Sequence, residues 1–446
     1  MSSAALLREI ERYVAKTPKS RALQAEAAEV LPGGSSRGTA YFPPYAFFAD
    51  GGEGHYVYDV DGNRYLDFML NATTLILGHA HPSVVEAIAE QASKGTAHST
   101  PTVSQIRLAR LLCDRIPSMD TVRFTNSGTE GTLMAIRAAR AFTGRHRIAK
   151  FEGGYHGAHE DVAVSVRPPA AALGGGEPRA IPEHPGQPPS VAEGVLVLPY
   201  NDLATCTRLL SAHRESVGCL IMEPVVSSFG YVPGQPEFLR GIRKLTEELG
   251  IVLIFDEVQS LRVAPGGAQE LLGVTPDLTC LGKIIGGGLP VGAFGGRRDI
   301  MAQFDPTAEP GARIAHAGTF NANPMTMVAG EVVMRALTPA IYRRLGDLGE
   351  TLRQRLRGAF AQLGVPAQVT GIASLFGIHF TAAPVMDYRA VVAGDQELRK
   401  ALFTGLLNEG ILLQTSCAGA LGAMTTEAEI DTLVDAVRRV TARVRA

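Results

Sequence analysis

The chain has 446 residues, with 42 Lys+Arg against 44 Asp+Glu, and 46% of residues are hydrophobic. That apolar share excludes intrinsic disorder, and the formal net charge of −2 offers no excess of cations to neutralise nucleic-acid phosphates. No uncharged apolar run approaches the roughly 18–20 residues that span a bilayer, and the length predicts roughly two or three domains.

Cys113, Cys206, Cys219, Cys280 and Cys417 are widely spaced and include no CxxC pair. This argues against a disulfide framework or a thiolate zinc site and for reduced, buried thiols. Arg8, Glu9, Glu11 and Arg12 interrupt the N-terminus, so no secretory leader is expected. The expected setting is the cytoplasm, with no metal, membrane or nucleic-acid partner.

Residues 4–30 predict an amphipathic helix or a pair of helices, broken by the Leu31–Gly38 stretch LPGGSSRG. Tyr56–Phe68 alternates around Asp61-Gly62, a hairpin signal. Short apolar runs then follow at Thr121–Thr125, Arg147–Phe151, Val195–Leu198, Cys219–Met222 and Ile251–Phe255. Helix-period segments lie between them, such as Thr129–Thr143 and Pro236–Leu249. This alternation predicts an α/β domain with a largely parallel sheet covered on both faces. Residues 168–190, rich in Pro, Gly and Ala, predict an irregular, mobile segment: a lid or a surface excursion. Beyond about Gly330 helical patterns dominate, with apolar runs near Ser374–Phe380 and Gly410–Leu413, so a separate C-terminal α+β domain is expected.

Three segments carry chemistry. In FTNSGTE (124–130) a strand ends and a helix begins. Ser127, Gly128 and Thr129 fall where the first helical N–H groups lack intrahelical partners, a place for a phosphate; taken alone, the segment is better read as a plain N-cap, since Ser and Thr cap any helix. No Lys follows in the Walker pattern. In FDEV (255–258), Asp256 stands at the carboxyl end of a buried strand, where α/β sheets bind ligands. It suits a metal or a protonated ring nitrogen, or is a loop acid. In LGKIIGGGLP (281–290), Lys283 is a lone cation among apolar and glycine residues, either an amine nucleophile or a surface lysine. In combination, an anion site, a carboxylate and an amine supply what pyridoxal phosphate needs. An aromatic such as the one in GGYHG (153–157) suits a flat ring.

With EPV (223–225), LGKIIGGGLPVGAFGG (281–296) and HAGTFNANP (316–324), these segments make the chain resemble the class III (subgroup II) aminotransferases. Within them it is most similar to the glutamate-1-semialdehyde aminomutase and β-amino-acid aminotransferase branch. The resemblance runs from about Leu31 to the C-terminus. It implies the α/β fold type I of PLP-dependent transferases: a large domain with a mostly parallel seven-stranded sheet, plus a smaller α+β domain formed by both chain ends. The implied plan is an N-terminal segment 1–70, a large PLP-binding domain 71–325 and a small domain 326–446. The implied cofactor is pyridoxal 5'-phosphate. Lys283 would form the Schiff base and shuttle the proton, and Asp256 would pair with the pyridinium nitrogen. Ser127, Gly128 and Thr129 would bind the phosphate. Tyr155 would stack on the ring with His156 beside it, Val258 would cover the other face, and Glu223 would orient the surroundings. Thr319 would reach the phosphate of the neighbouring subunit in a homodimer. Arg37, in Ser36-Arg37-Gly38, would grip a substrate carboxylate, which a guanidinium suits; a surface loop Arg is the alternative. Many relatives carry a second Arg near the C-terminal Gly-Ile strand, where this chain reads GILLQTSCAGA (410–420). Arg37 would then serve both carboxylates in turn, or Gln414 and backbone groups would substitute.

The implied activity is transfer of an amino group from an amino acid, a β-amino or aryl amino acid among the candidates, to a keto acid. The alternatives are a glutamate-1-semialdehyde-type aminomutase, a racemase of the same fold, or a cofactor-binding subunit without turnover.

Overall fold

The computed structural model describes residues 2–309 and 313–445. The chain divides into two units. One comprises Pro82–Arg344 and Val385–Ala393, the other Met1–His81, Leu345–Pro384 and Gly394–Ala446.

The first unit is built on seven strands: β1 (Thr121–Thr125), β2 (Arg147–Phe151), β3 (Val195–Leu198), β4 (Val217–Met222), β5 (Val252–Asp256), β6 (Leu278–Gly282) and β7 (Gly292–Gly296). Their order across the sheet is β1-β7-β6-β5-β4-β2-β3. β7 runs antiparallel to both its neighbours, and the other recorded pairings are parallel. β3, β4, β5, β6 and β7 are buried at every residue. That explains the apolar runs of β3, β4 and β5, since a parallel sheet covered on both faces has no wet side.

Two helices show how the sequence folds around this sheet. Helix α1 (Gly128–Thr143) starts at Ser127, whose Oγ accepts the Glu130 N–H, and stops at Gly144 with φ 68°. Met134, Ala135, Ile136, Ala138 and Ala139 give it a buried face. Helix α2 (Pro236–Leu249) has Pro at its first turn and the left-handed Gly250 at its end. Its Phe238 meets Phe151 and Tyr200 edge to face, at ring separations of 5.6 and 5.3 Å.

Strands β6 and β7 are not among the apolar runs expected as strands from the sequence; they lie on either side of residues 283–291. The glycines of β7 are there because its neighbours come very close. A Cβ on Gly292 would lie 1.9 Å from the Ser127 carbonyl oxygen. The Pro/Gly-rich stretch 168–190 is irregular apart from the turn Ala170–Leu173 and the start of Pro189–Glu193.

In the second unit, two helices (Ser2–Lys16 and Pro18–Val30) precede the antiparallel strands Tyr56–Asp59 and Arg64–Asp67. Ile411–Leu412 adds to that sheet parallel to Arg64–Asp67. Both chain ends meet on Glu9: Asn408 Nδ2 donates to its Oε2 at 2.8 Å and Arg443 Nε to its Oε1 at 2.7 Å. Among the described residues no helix is long and apolar enough to cross a membrane.

Candidate active site

The carboxyl ends of β1, β2, β4, β5 and β6 surround a cleft. From the turn after β1 come Gly128 and Thr129. The turn after β2 gives Tyr155, His156 and Gly157, and β4 is followed by Glu223. Asp256 closes β5, with Val258 and Gln259 next to it, and Lys283 follows β6 directly. In open α/β sheets this is the end where ligands bind.

Asp256 is nearly buried. Its Oδ1 accepts the Val258 N–H at 3.1 Å, and its Oδ2 lies 2.9 Å from His156 Nδ1. Burial lowers the pKa of His156 despite that carboxylate, which favours the neutral imidazole. It then donates from Nδ1 to Asp256. Its Nε2 is buried and has no hydrogen-bond partner among the described residues.

Glu223 sits beneath the Tyr155 turn. Its Oε1 accepts the Tyr155 N–H at 3.2 Å, and its Oε2 accepts both the N–H and the hydroxyl of Ser227. Gln259 Nε2 donates to Ser227 Oγ at 2.7 Å, and the Tyr231 hydroxyl donates to Gln259 Oε1 at 3.1 Å. Burial first, and then the Asp256 charge, push the Glu223 carboxyl up to about 7. Lys150, on β2, is fully buried, donates to the Val164 carbonyl, and is pushed down to about 7 by that burial.

Lys283 opens a short 3-10 turn with φ 52°, a left-handed value that β-carbon residues seldom adopt. Such strain clusters at functional sites. Glycine makes close approaches possible around the cleft. A Cβ on Gly128 would come within 2.9 Å of Val258 Cγ2, and one on Gly157 within 2.7 Å of Thr129 Cα.

The cleft therefore brings together eight of the residues singled out in the sequence: Gly128, Thr129, Tyr155, His156, Glu223, Asp256, Val258 and Lys283. It also contains Gly157 and Gln259, which were not singled out beforehand, although both stand inside the quoted motifs or next to them. Ser127 and Thr319 are not in its lining. Ser127 caps α1, and Thr319 is exposed. Arg37 belongs to the other unit, is exposed, and donates from Nη1 to Asn71 Oδ1 at 2.8 Å.

These groups fit pyridoxal phosphate. The helix start offers N–H donors to a phosphate. Asp256 is a carboxylate held as an acceptor, Lys283 supplies an amine, and the glycines keep the cleft free of side chains where backbone must come close.

The class III aminotransferase family model matches residues 40–439. A glutamate-1-semialdehyde 2,1-aminomutase from Methanothermobacter thermautotrophicus is 44% identical over 399 residues, covering 89% of this chain and 92% of its own. Among solved structures, an omega-transaminase from Sphaerobacter thermophilus is 46% identical with a TM-score of 0.93, covering 96% of this chain and 98% of its own. A beta-phenylalanine aminotransferase from Variovorax paradoxus is 39% identical with a TM-score of 0.89, covering 98% and 97%. A transaminase solved with PLP bound is also 39% identical with a TM-score of 0.89, covering 96% and 99%. The chain belongs to the class III aminotransferases and is a pyridoxal-phosphate-dependent enzyme of fold type I.

Proposed function

We propose that the protein transfers an amino group from an amino acid, a β-amino or aryl amino acid among the candidates, to a keto acid. One observation carries the reading. Asp256 ends β5, Lys283 directly follows the neighbouring parallel strand β6, and both line one cleft with the N-terminus of α1. When bound, pyridoxal phosphate supplies a carbonyl that takes amines and a ring that draws electrons from the reacting carbon.

The chain's own groups do the rest. Lys283 Nζ would anchor the cofactor and, once the incoming amine displaces it, would carry the proton removed from the substrate carbon. The Asp256 carboxylate, held by His156 and the Val258 N–H, would pair with the protonated ring nitrogen of the cofactor. Gly128 and Thr129, with Ser127 at the cap, take the phosphate. Tyr155 and Val258 would flank the ring, and Glu223 fixes the Tyr155 turn by accepting the Tyr155 N–H. Arg37 takes the substrate carboxylate. Thr319 serves the neighbouring site of a homodimer, in keeping with exposed apolar side chains at Val103, Ile106 and Phe320. Five free thiols, four of them buried, fit the reducing cytoplasm.

The likeness to a beta-phenylalanine aminotransferase supports the choice of donor. The 44% identity to a glutamate-1-semialdehyde 2,1-aminomutase favours a second reading, transfer within one molecule. The holoenzyme is given β-phenylalanine, alanine or glutamate with and without a keto acid, and glutamate-1-semialdehyde alone. Product that requires the keto acid supports transfer between molecules. Isomerised semialdehyde with no acceptor present supports the second reading.

A further inference from the structure

We infer that Asn71 is a positioning residue for carboxylate recognition: it is carried on a strained left-handed turn whose purpose is to fix the guanidinium of Arg37. The inference rests on the proposed role of Arg37 and extends it to a second residue.

Leu70, Asn71, Ala72 and Thr73 have φ values of 49°, 48°, 54° and 75°. Residues with a β-carbon adopt this region singly, because Cβ crowds the following carbonyl; a run of four without glycine is exceptional. The turn is held from several sides. Asp67 Oδ1 accepts the N–H groups of Met69 and Leu70, both at 2.8 Å, and Asp67 Oδ2 lies 2.7 Å from His79 Nε2. Met69 O accepts the Thr73 N–H at 2.9 Å, and Leu70 O accepts that of Leu75 at 3.0 Å. Leu70 and Thr73 are buried, while Asn71 between them is exposed.

This arrangement maintains a costly backbone and delivers one polar side chain to the surface. That side chain meets Arg37: Nη1 donates to Asn71 Oδ1 at 2.8 Å. Arg37 is also fixed at its backbone, where its N–H donates to Ser35 Oγ at 3.1 Å. A guanidinium has enough N–H donors to keep this bond and still offer two to a carboxylate. Holding the fork in advance removes rotamer entropy that the substrate would otherwise have to overcome. Strain maintained against its own cost is a mark of function rather than of folding.

The test compares Asn71→Gly with Arg37→Ala, using one amino-acid donor and one amine donor that lacks a carboxylate. Glycine accepts a φ near +48° freely, so Asn71→Gly removes the side chain and relieves the turn. The expected result is a KM about tenfold higher for the amino acid, with kcat and the amine's kinetics unchanged and a melting temperature no lower than the parent's. Arg37→Ala should raise KM for the same donor by more. If Arg37→Ala discriminates between the donors and Asn71→Gly does not, the inference about Asn71 is overturned and the role of Arg37 stands. If Arg37→Ala affects both donors alike, the Arg37 reading falls and this inference falls with it. Equal losses on both donors in Asn71→Gly would make the turn merely structural.

Discussion

Glu223 has both carboxylate oxygens occupied by donors from the Tyr155 and Ser227 turns, in a setting where burial and Asp256 raise its pKa from 4.5 to about 7. A raised folded-state pKa contributes stability that is fully present below 4.5 and is lost as pH rises through about 7. Between those values ionising the buried group costs at most about 3 kcal/mol. Glu223→Gln, which does not titrate, should therefore melt higher relative to the parent at about pH 8 than at about pH 5. Thermal melts at both pH values check this, and an equal difference at the two would contradict it. At this scale the sequence was legible wherever a chemical group stands at a strand tip, as with Asp256 and Lys283. Gln259 was not, because its partner Ser227 is 32 residues away and nothing local marks the contact.

The Pro/Gly-rich segment shows what local reading misses at the scale of elements. Its composition predicts mobility, yet its first half is fastened from far along the chain. The short helix Tyr388–Val392 brings Arg389 to Glu152, with Nε and Nη2 at 2.7 and 3.1 Å from the carboxylate oxygens. Arg389 Nη1 also donates to the Gly176 carbonyl at 2.7 Å, and the Tyr388 hydroxyl donates to that of Pro168 at 3.0 Å. Glu152 is buried and precedes the Gly153–Tyr155 turn, so breaking the pair leaves a buried charge without its cation. Arg389→Ala should destabilise the protein by about 2–4 kcal/mol. Hydrogen exchange should quicken across residues 163–176 while the central strands β4 and β5 stay protected. Unchanged exchange in that segment would show that it is held by other means. Strands β6 and β7 were hidden for a related reason. A run such as GAFGG is poor in β-formers, and it is a strand because it pairs along its length with β6 and β1.

At the scale of the whole molecule, alternating apolar runs and helix periods were enough to expect an α/β sheet, because burial on both faces leaves a plain hydrophobic signature. Where the chain crosses between units was not legible. Val385–Ala393 belongs to the unit that holds the cleft although its neighbours in sequence do not, since membership is decided by distant partners such as Glu152. The proposed role of Thr319 in a neighbouring site makes assembly testable. Light scattering on the purified protein should give about twice the 47.3 kDa of one chain, or a higher even multiple, and a monomer would remove that role. The central claim, that Lys283 anchors pyridoxal phosphate for amino transfer, is tested most directly by the absorbance spectrum of the parent and of Lys283→Ala after addition of the cofactor. The parent should show a band near the visible that an amino donor bleaches as keto acid appears, and in Lys283→Ala that band should be absent or altered and insensitive to the donor. A parent protein that shows no such band after the cofactor is added, or a variant that responds to the donor as the parent does, would contradict that claim.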